Sequence, residues 1–157
     1  MKPVEELRYL VLAVQREGNR ILAAQLRPLG LTPSQAEVLR VLHDHQPLTL
    51  SALGHLLVCE TTASPSRLVD RLVSQGLVQR ATDPDDRRYV TLTLTPEGRG
   101  LERQVADAED HLYGLLERLV AGERLDETVQ LLRKVADEFP AGQALAHRRE
   151  SSPPRPA

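Results

Sequence analysis

The chain has 157 residues, of which 41% are hydrophobic and 27% charged. That is the composition of one ordinary soluble domain, able to bury on the order of two thirds of its unfolded surface without a metal or a disulfide. Cys59 is the only cysteine, which excludes an internal disulfide, and no apolar run approaches the roughly 20 residues that span a bilayer or the core of a signal peptide, so a cytoplasmic protein is expected.

Aromatic residues make up only 3% of the chain, so Leu, Val and Ala must fill the core, which favours helix. The net charge of −2 is unevenly spread: residues 61–100 carry 6 basic and 5 acidic groups, whereas 101–139 carry 5 and 10. Contact with a polyanion is therefore expected from the middle of the chain.

In chain order, Val4, Leu7, Val11, Val14, Ile21 and Leu22 recur at helical spacing and predict a long amphipathic helix ending near Pro28 to Gly30. Thr32-Pro33-Ser34-Gln35 then reads as a threonine cap, a proline at the first helical position and a glutamine at the third, so a second helix starts there and stops before Pro47. Residues 48–57 read as a short extended piece and a helix capped by Thr49 or Ser51. Ser64-Pro65 opens a further helix, with Leu68, Val69, Leu72 and Val73 at helical spacing and Gly76 closing it. Leu77 to Thr82 and Tyr89 to Thr95 are extended, the second with Val90, Leu92 and Leu94 alternating against threonines. Joined by a charged, turn-rich tip, they predict a β-hairpin.

From Pro96 a helix returns, with Leu101, Val105, Ala108, Leu112, Leu115 and Leu119 in a heptad seam about 28 Å long at 1.5 Å per residue, which implies a partner helix. Leu125 to Phe139 forms a last helix, and 141–157, with little to bury, is expected to be disordered. The chain thus divides into an N-terminal helix (1–30), a lobe of short helices and a hairpin (31–100), C-terminal helices (101–140) and a tail (141–157).

Two short helices joined by a tight turn and followed by a charged hairpin make a winged helix-turn-helix, a mainly helical fold with a small β wing. Its second helix fits the major groove, roughly 12 Å wide, and its hairpin tip reaches the backbone or minor groove. The start of that helix offers Thr61, Thr62, Ser64, Ser66 and Arg67, with Arg71 one turn on. Hydroxyls and guanidinium groups can hydrogen-bond phosphates and base edges, and a helix N-terminus favours phosphate.

The run Asp83-Pro84-Asp85-Asp86-Arg87-Arg88, the alternating strand behind it and Leu94-Thr95-Pro96-Glu97-Gly98 resemble the wing signature of the MarR family of bacterial transcriptional regulators. Ser66 to Leu72 looks like that family's recognition helix, and Leu31 to Gln35 looks like the start of its second helix; the resemblance covers roughly residues 5 to 139. It implies a homodimer with interlocking terminal helices that sets two winged helices on a palindromic operator and is released by a small phenolic or lipophilic ligand or by thiol oxidation. The family's wing-tip arginines fall on Arg87 and Arg88 and the aspartate that orients them on Asp86. Pro65 departs from the pattern, since many members have no proline there, and it places the helix start at Ser64.

The expected function is a DNA-binding repressor acting as a homodimer and released by a ligand. Leu7, Val11, Leu101, Val105, Leu112, Leu115 and Leu119 are expected to dimerise it, and Leu10, Val14, Asn19 and His43 to wall its effector pocket. Two alternatives are a winged-helix module that binds protein and a redox sensor acting through Cys59. The five histidines lack metal-ligand spacing. No HExxH, GxSxG or glycine-rich phosphate loop is present, so neither an enzyme nor a cofactor is implied.

Overall fold

The computed structural model of the chain describes residues 1–59, 64–82, 86 and 88–151. Helix α1 (Pro3–Leu26) has a proline at its first turn and ends in a 3-10 turn, Arg27–Leu29, closed by Gly30 at φ +70. The second helix, α2 (Pro33–His45), starts as its sequence dictates. Thr32 Oγ1 accepts the Gln35 N–H at 3.3 Å and Gln35 Oε1 accepts the Thr32 N–H at 2.9 Å, a reciprocal capping box. Next come β1 (Leu48–Thr49) and α3 (Leu50–Gly54), whose cap is Thr49, accepting the Ala52 N–H at 3.1 Å. The remaining elements are α4 (Pro65–Ser74), β2 (Val78–Thr82), β3 (Val90–Leu94), α5 (Pro96–Leu119), α6 (Leu125–Ala136) and α7 (Pro140–Ser151).

The expected hairpin pairs Val78 with Leu94 and Thr82 with Val90. It gains a third strand, because β1 pairs with the other edge of β3, Leu48 opposite Leu92, giving an antiparallel sheet in the order β1-β3-β2. β3 is thus the central strand, and its inward residues Leu92 and Leu94 are fully buried. They meet Val38, Leu39 and Leu42 of α2, Leu53 of α3, and Leu68, Val69 and Leu72 of α4 in one core. Each fully buried side chain of this size contributes about 1.5–3 kcal/mol.

The threonine and glycine of the Leu94–Gly98 run have a physical task. Thr95 Oγ1 caps α5 by accepting the Gly98 N–H at 2.9 Å and donates its own proton to Gly76 O at 2.6 Å. Its N–H donates to Leu77 O at 3.1 Å. The start of α5 is therefore stitched to the start of β2, so closely that a Cβ on Gly98 would fall 1.9 Å from Leu77 O.

Two expectations are corrected. The heptad seam does not present one face outward: Val105 is fully buried and Ala108 is 9% exposed in the chain's own core, with Leu101 packed against it, while Leu119 is 70% exposed. The stripe is apolar throughout, but its first half is covered by α1 and α2 and only its second half is left over. The second correction concerns residues 140–151, which are helical where a disordered tail is expected. Counting large apolar residues misses how small ones bury surface. Gly142 packs so tightly against the end of α6 that a Cβ would lie 1.9 Å from Ala136 O, and Ala144 is 6% exposed. Residues 152–157 lie outside the described residues.

Candidate nucleic-acid interface

The helix α4 buries Leu68, Val69 and Leu72 and turns its other face outward. Pro65 occupies its first position and Ser64 its cap, the start that the sequence predicts. Ser64 makes no side-chain bond to the helix backbone; its hydroxyl lies 2.9 Å from that of Ser66. Arg67 and Arg71 are exposed, and neither has an ion-pair partner among the described residues. Asp70, the neighbour that would neutralise them, is taken by Arg80 of β2 at 2.6 Å. That pair, missed by sequence reasoning, ties the wing to the outer face of α4. Thr61 and Thr62 lie outside the described residues.

At the wing tip, Asp86 Oδ1 accepts the backbone N–H and the Nε–H of Arg88, and Oδ2 accepts from Nη2, all at 3.0 Å. Such a forked, charge-assisted pair fixes the plane of the guanidinium as well as its position. The Arg88 side-chain and backbone hydrogen bonds hold the Asp86 carboxyl below its ordinary value, and Asp86 holds Arg88 above its own. The Arg88 side chain is still 87% exposed, so it is oriented but not covered. Arg87 lies outside the described residues.

Behind α4, Glu37 of α2 receives the N–H groups of Val58 and Cys59 at 2.8 and 2.9 Å and Nη2 of Arg148 in α7 at 2.5 Å. Burial first, then the Glu37 carboxylate, pushes the Cys59 thiol up to about 12. A reactive sensor cysteine needs the opposite, a cationic and accessible surrounding that favours thiolate, so this geometry weighs against the redox alternative. Further back, Arg40 bridges α2 to α5 through Glu102 and, at 3.1 Å, Glu109. Glu102 is 2% exposed, and the single-sequence pattern gave no sign of it because its partners lie some sixty residues away.

The four expected effector-wall residues do not line the polar cavity between α2, α5 and α7. Leu10, Val14 and Asn19 are exposed on α1, and His43 Nδ1 sits 3.2 Å from Glu102 Oε2. That cavity, of about 170 Å³, is lined instead by Glu37, Arg40, Asp44, His45, Glu109, Tyr113 and Arg148. Of the residues expected to dimerise the chain, Leu7, Val11 and Leu119 are exposed, Leu112 and Leu115 half-buried, and Leu101 and Val105 belong to the core as described above. No helix among the described residues is long and apolar enough to cross a membrane, and no group of three or more metal-binding side chains converges there.

Residues 31–90, which span α2 to the first residue of β3, match the model of the MarR family. The chain is 30% identical over 116 residues, 73% of its length and 78% of the relative's, to the organic hydroperoxide resistance transcriptional regulator of Bacillus subtilis. A mutant MarR from E. coli complexed with operator DNA superposes with a TM-score of 0.73 at 28% identity, over 84% of this chain and 94% of that one. Bordetella bronchiseptica BpsR, whose DNA binding is regulated by 6-hydroxynicotinic acid, gives a TM-score of 0.72 at 25% identity over 84% and 99%.

Proposed function

The chain belongs to the MarR family of DNA-binding transcriptional regulators, and we propose that it acts in the cytoplasm as a homodimeric repressor of a pseudo-palindromic operator and is released by a small effector. The observation that carries this reading is the pairing of an outward helix start with a held wing tip. Arg67 is free to meet a base edge or phosphate, and Arg88 is locked by Asp86 in a plane suited to the DNA backbone or minor groove. A protein-docking module has no need of a guanidinium oriented so rigidly and left so exposed.

Homodimerisation is supported by the apolar residues the chain leaves uncovered on α1, the end of α5 and α6, among them Leu7, Val11, Leu119 and Val129. Two copies joined there would set two α4 helices in successive major grooves, roughly 34–36 Å apart. In this reading residues 1–30 and 101–140 hold the pair together and 31–100 read DNA. Effector release is supported by the cavity beside Arg40, His45 and Tyr113. Its polar walls suit a small hydroxylated aromatic acid, the class to which 6-hydroxynicotinic acid belongs, better than a purely lipophilic effector. An effector there would act by its differing affinity for the lobe spacings that fit and misfit the operator.

The direct test is to select bound fragments from a random duplex pool and then screen small aromatic acids for release. Enrichment of a two-fold symmetric sequence that such an acid displaces is the expected result; enrichment of no sequence at low salt would overturn the operator reading.

A further inference from the structure

Glu37 lies in the middle of α2 between Ala36 and Val38, both buried, and is itself 8% exposed. A carboxylate placed on such a face is costly unless its partners are well made. Here they come from two other parts of the chain. Oε1 accepts the Val58 N–H, Oε2 accepts the Cys59 N–H, and Arg148 Nη2 lies 2.5 Å from Oε1. One carboxylate thus joins the second helix, the segment that runs from α3 toward α4, and the C-terminal helix.

The α7 end of this link is lightly held. A cavity of about 290 Å³ separates α3 from α7 around His55 and His147, and the buried Arg148 Nε has no acceptor among the described residues. Among the described residues, Arg148–Glu37 is the ion pair that joins α7 to the lobe, beside the buried Ala144.

We propose that Glu37 and Arg148 are positioning residues for α4: docking of the C-terminal helix, through this pair, sets the pose in which the recognition helix meets DNA. The proposal rests on the reading of α4 as the recognition helix. Removing Arg148 leaves Glu37 an uncompensated carboxylate that turns toward solvent, and the Val58 and Cys59 amides lose their acceptor. Val58 and Cys59 are then no longer held in one pose, and apparent affinity falls by the fraction of time α4 is set to fit the groove.

The test compares the full-length chain with Arg148→Ala, Arg148→Lys and Arg67→Ala on the duplex selected by the parent, with amide exchange read at Val58 and Cys59. Arg148→Ala is expected to speed exchange at both amides and to weaken binding by about 5- to 10-fold through loss of the competent pose. The salt slope should stay unchanged, because no phosphate contact is lost. Arg148→Lys, which keeps the charge, should recover part of both effects. Faster exchange with unchanged affinity would make the pair merely structural and overturn the proposal, as would no change in either. A slope lowered by about one would also overturn it, by making Arg148 a phosphate contact. Unchanged affinity in Arg67→Ala would instead remove the recognition-helix reading beneath the proposal, a failure distinguishable because the Arg148→Ala exchange effect would persist.

Discussion

Arg88 illustrates how two residues at a turn can fix the plane of an exposed guanidinium without a core. Its guanidinium is held by both oxygens of Asp86, and the Tyr89 N–H donates to Asp86 O at 3.0 Å, so the tip turns on a single aspartate. A contact of this kind goes to phosphate or sugar and carries little sequence information. Arg88→Ala should therefore weaken binding to every duplex alike and lower the slope of log affinity against log salt by about one, read by titration at several ionic strengths. A variant that loses discrimination among sequences while keeping its slope would contradict the wing assignment. The Asp86 carboxyl, held low, keeps its charge and its grip on Arg88 above the ordinary aspartate range and loses both only as pH falls through its lowered value. At Cys59 the shift runs the other way. With the thiol raised from 9.0 to about 12, thiolate at neutral pH falls by about a thousandfold, partly offset by the greater nucleophilicity of a more basic sulfur. Alkylation by iodoacetamide should be at least about tenfold slower than for a free cysteine. Glu37→Gln, which removes one of the two main causes, should speed it. The tip was legible in the sequence because aspartate and arginine are two residues apart. The Glu37–Arg148 pair was not, because 111 residues separate its members and each alone reads as a surface charge.

Local chemistry decided the elements whose signals are local. Thr32, Thr49 and Ser64 begin α2, α3 and α4 where the sequence predicts, and Gly30 and Gly76, at φ +70 and +72, close the turns that follow α1 and α4. What the sequence could not supply was what each apolar stripe faces. The heptad of α5 is continuous in sequence, yet its first half lies on α2 and α1 while its second half is only partly covered, Leu112 and Leu115 half-buried and Leu119 exposed, because periodicity names a face without naming its cover. The short extended piece at Leu48 was expected but its place in the sheet was not, because two residues carry no strand period and pair only where β3 offers an open edge. Gly98 is the element-scale residue with the clearest consequence. Since any Cβ there meets the Leu77 carbonyl, Gly98→Ala must push α5 off the sheet or break the Thr95 cap. The expected loss is about 1–3 kcal/mol, the overpacking range, measured by denaturant unfolding. Gly100→Ala, two residues on with only the end of the Arg103 side chain near, serves as the control and should not destabilise the chain.

For the whole molecule, the uneven covering of its helices is the dominant fact. The lobe from α2 to β3 closes one core together with Leu26 of α1 and Val105 and Ala108 of α5, whereas α1, the end of α5, α6 and the turn after it expose Val4, Leu10, Val14, Leu116, Leu119, Leu131 and Phe139, a spread of apolar side chains that marks an interaction surface. Residues on the two halves of the α5 stripe should consequently fail in different ways. Val105→Glu places a charge in the lobe's core and should unfold the chain, with loss of the cooperative thermal transition. Leu119→Glu places it on the uncovered half, where the monomer's own packing is unaffected. The folded lobe should then persist as a monomer in sedimentation, and operator affinity should fall by about a hundredfold or more, because two half-sites held by one dimer gain about 10²–10⁴ in avidity over separate lobes. Binding to a duplex carrying a single half-site should change little, since each lobe keeps its own contacts. A Leu119→Glu protein that still sediments as a dimer would place the interface on α1 and α6 alone. One that is monomeric yet binds the full operator as tightly as the parent would show that the two lobes do not act together on DNA.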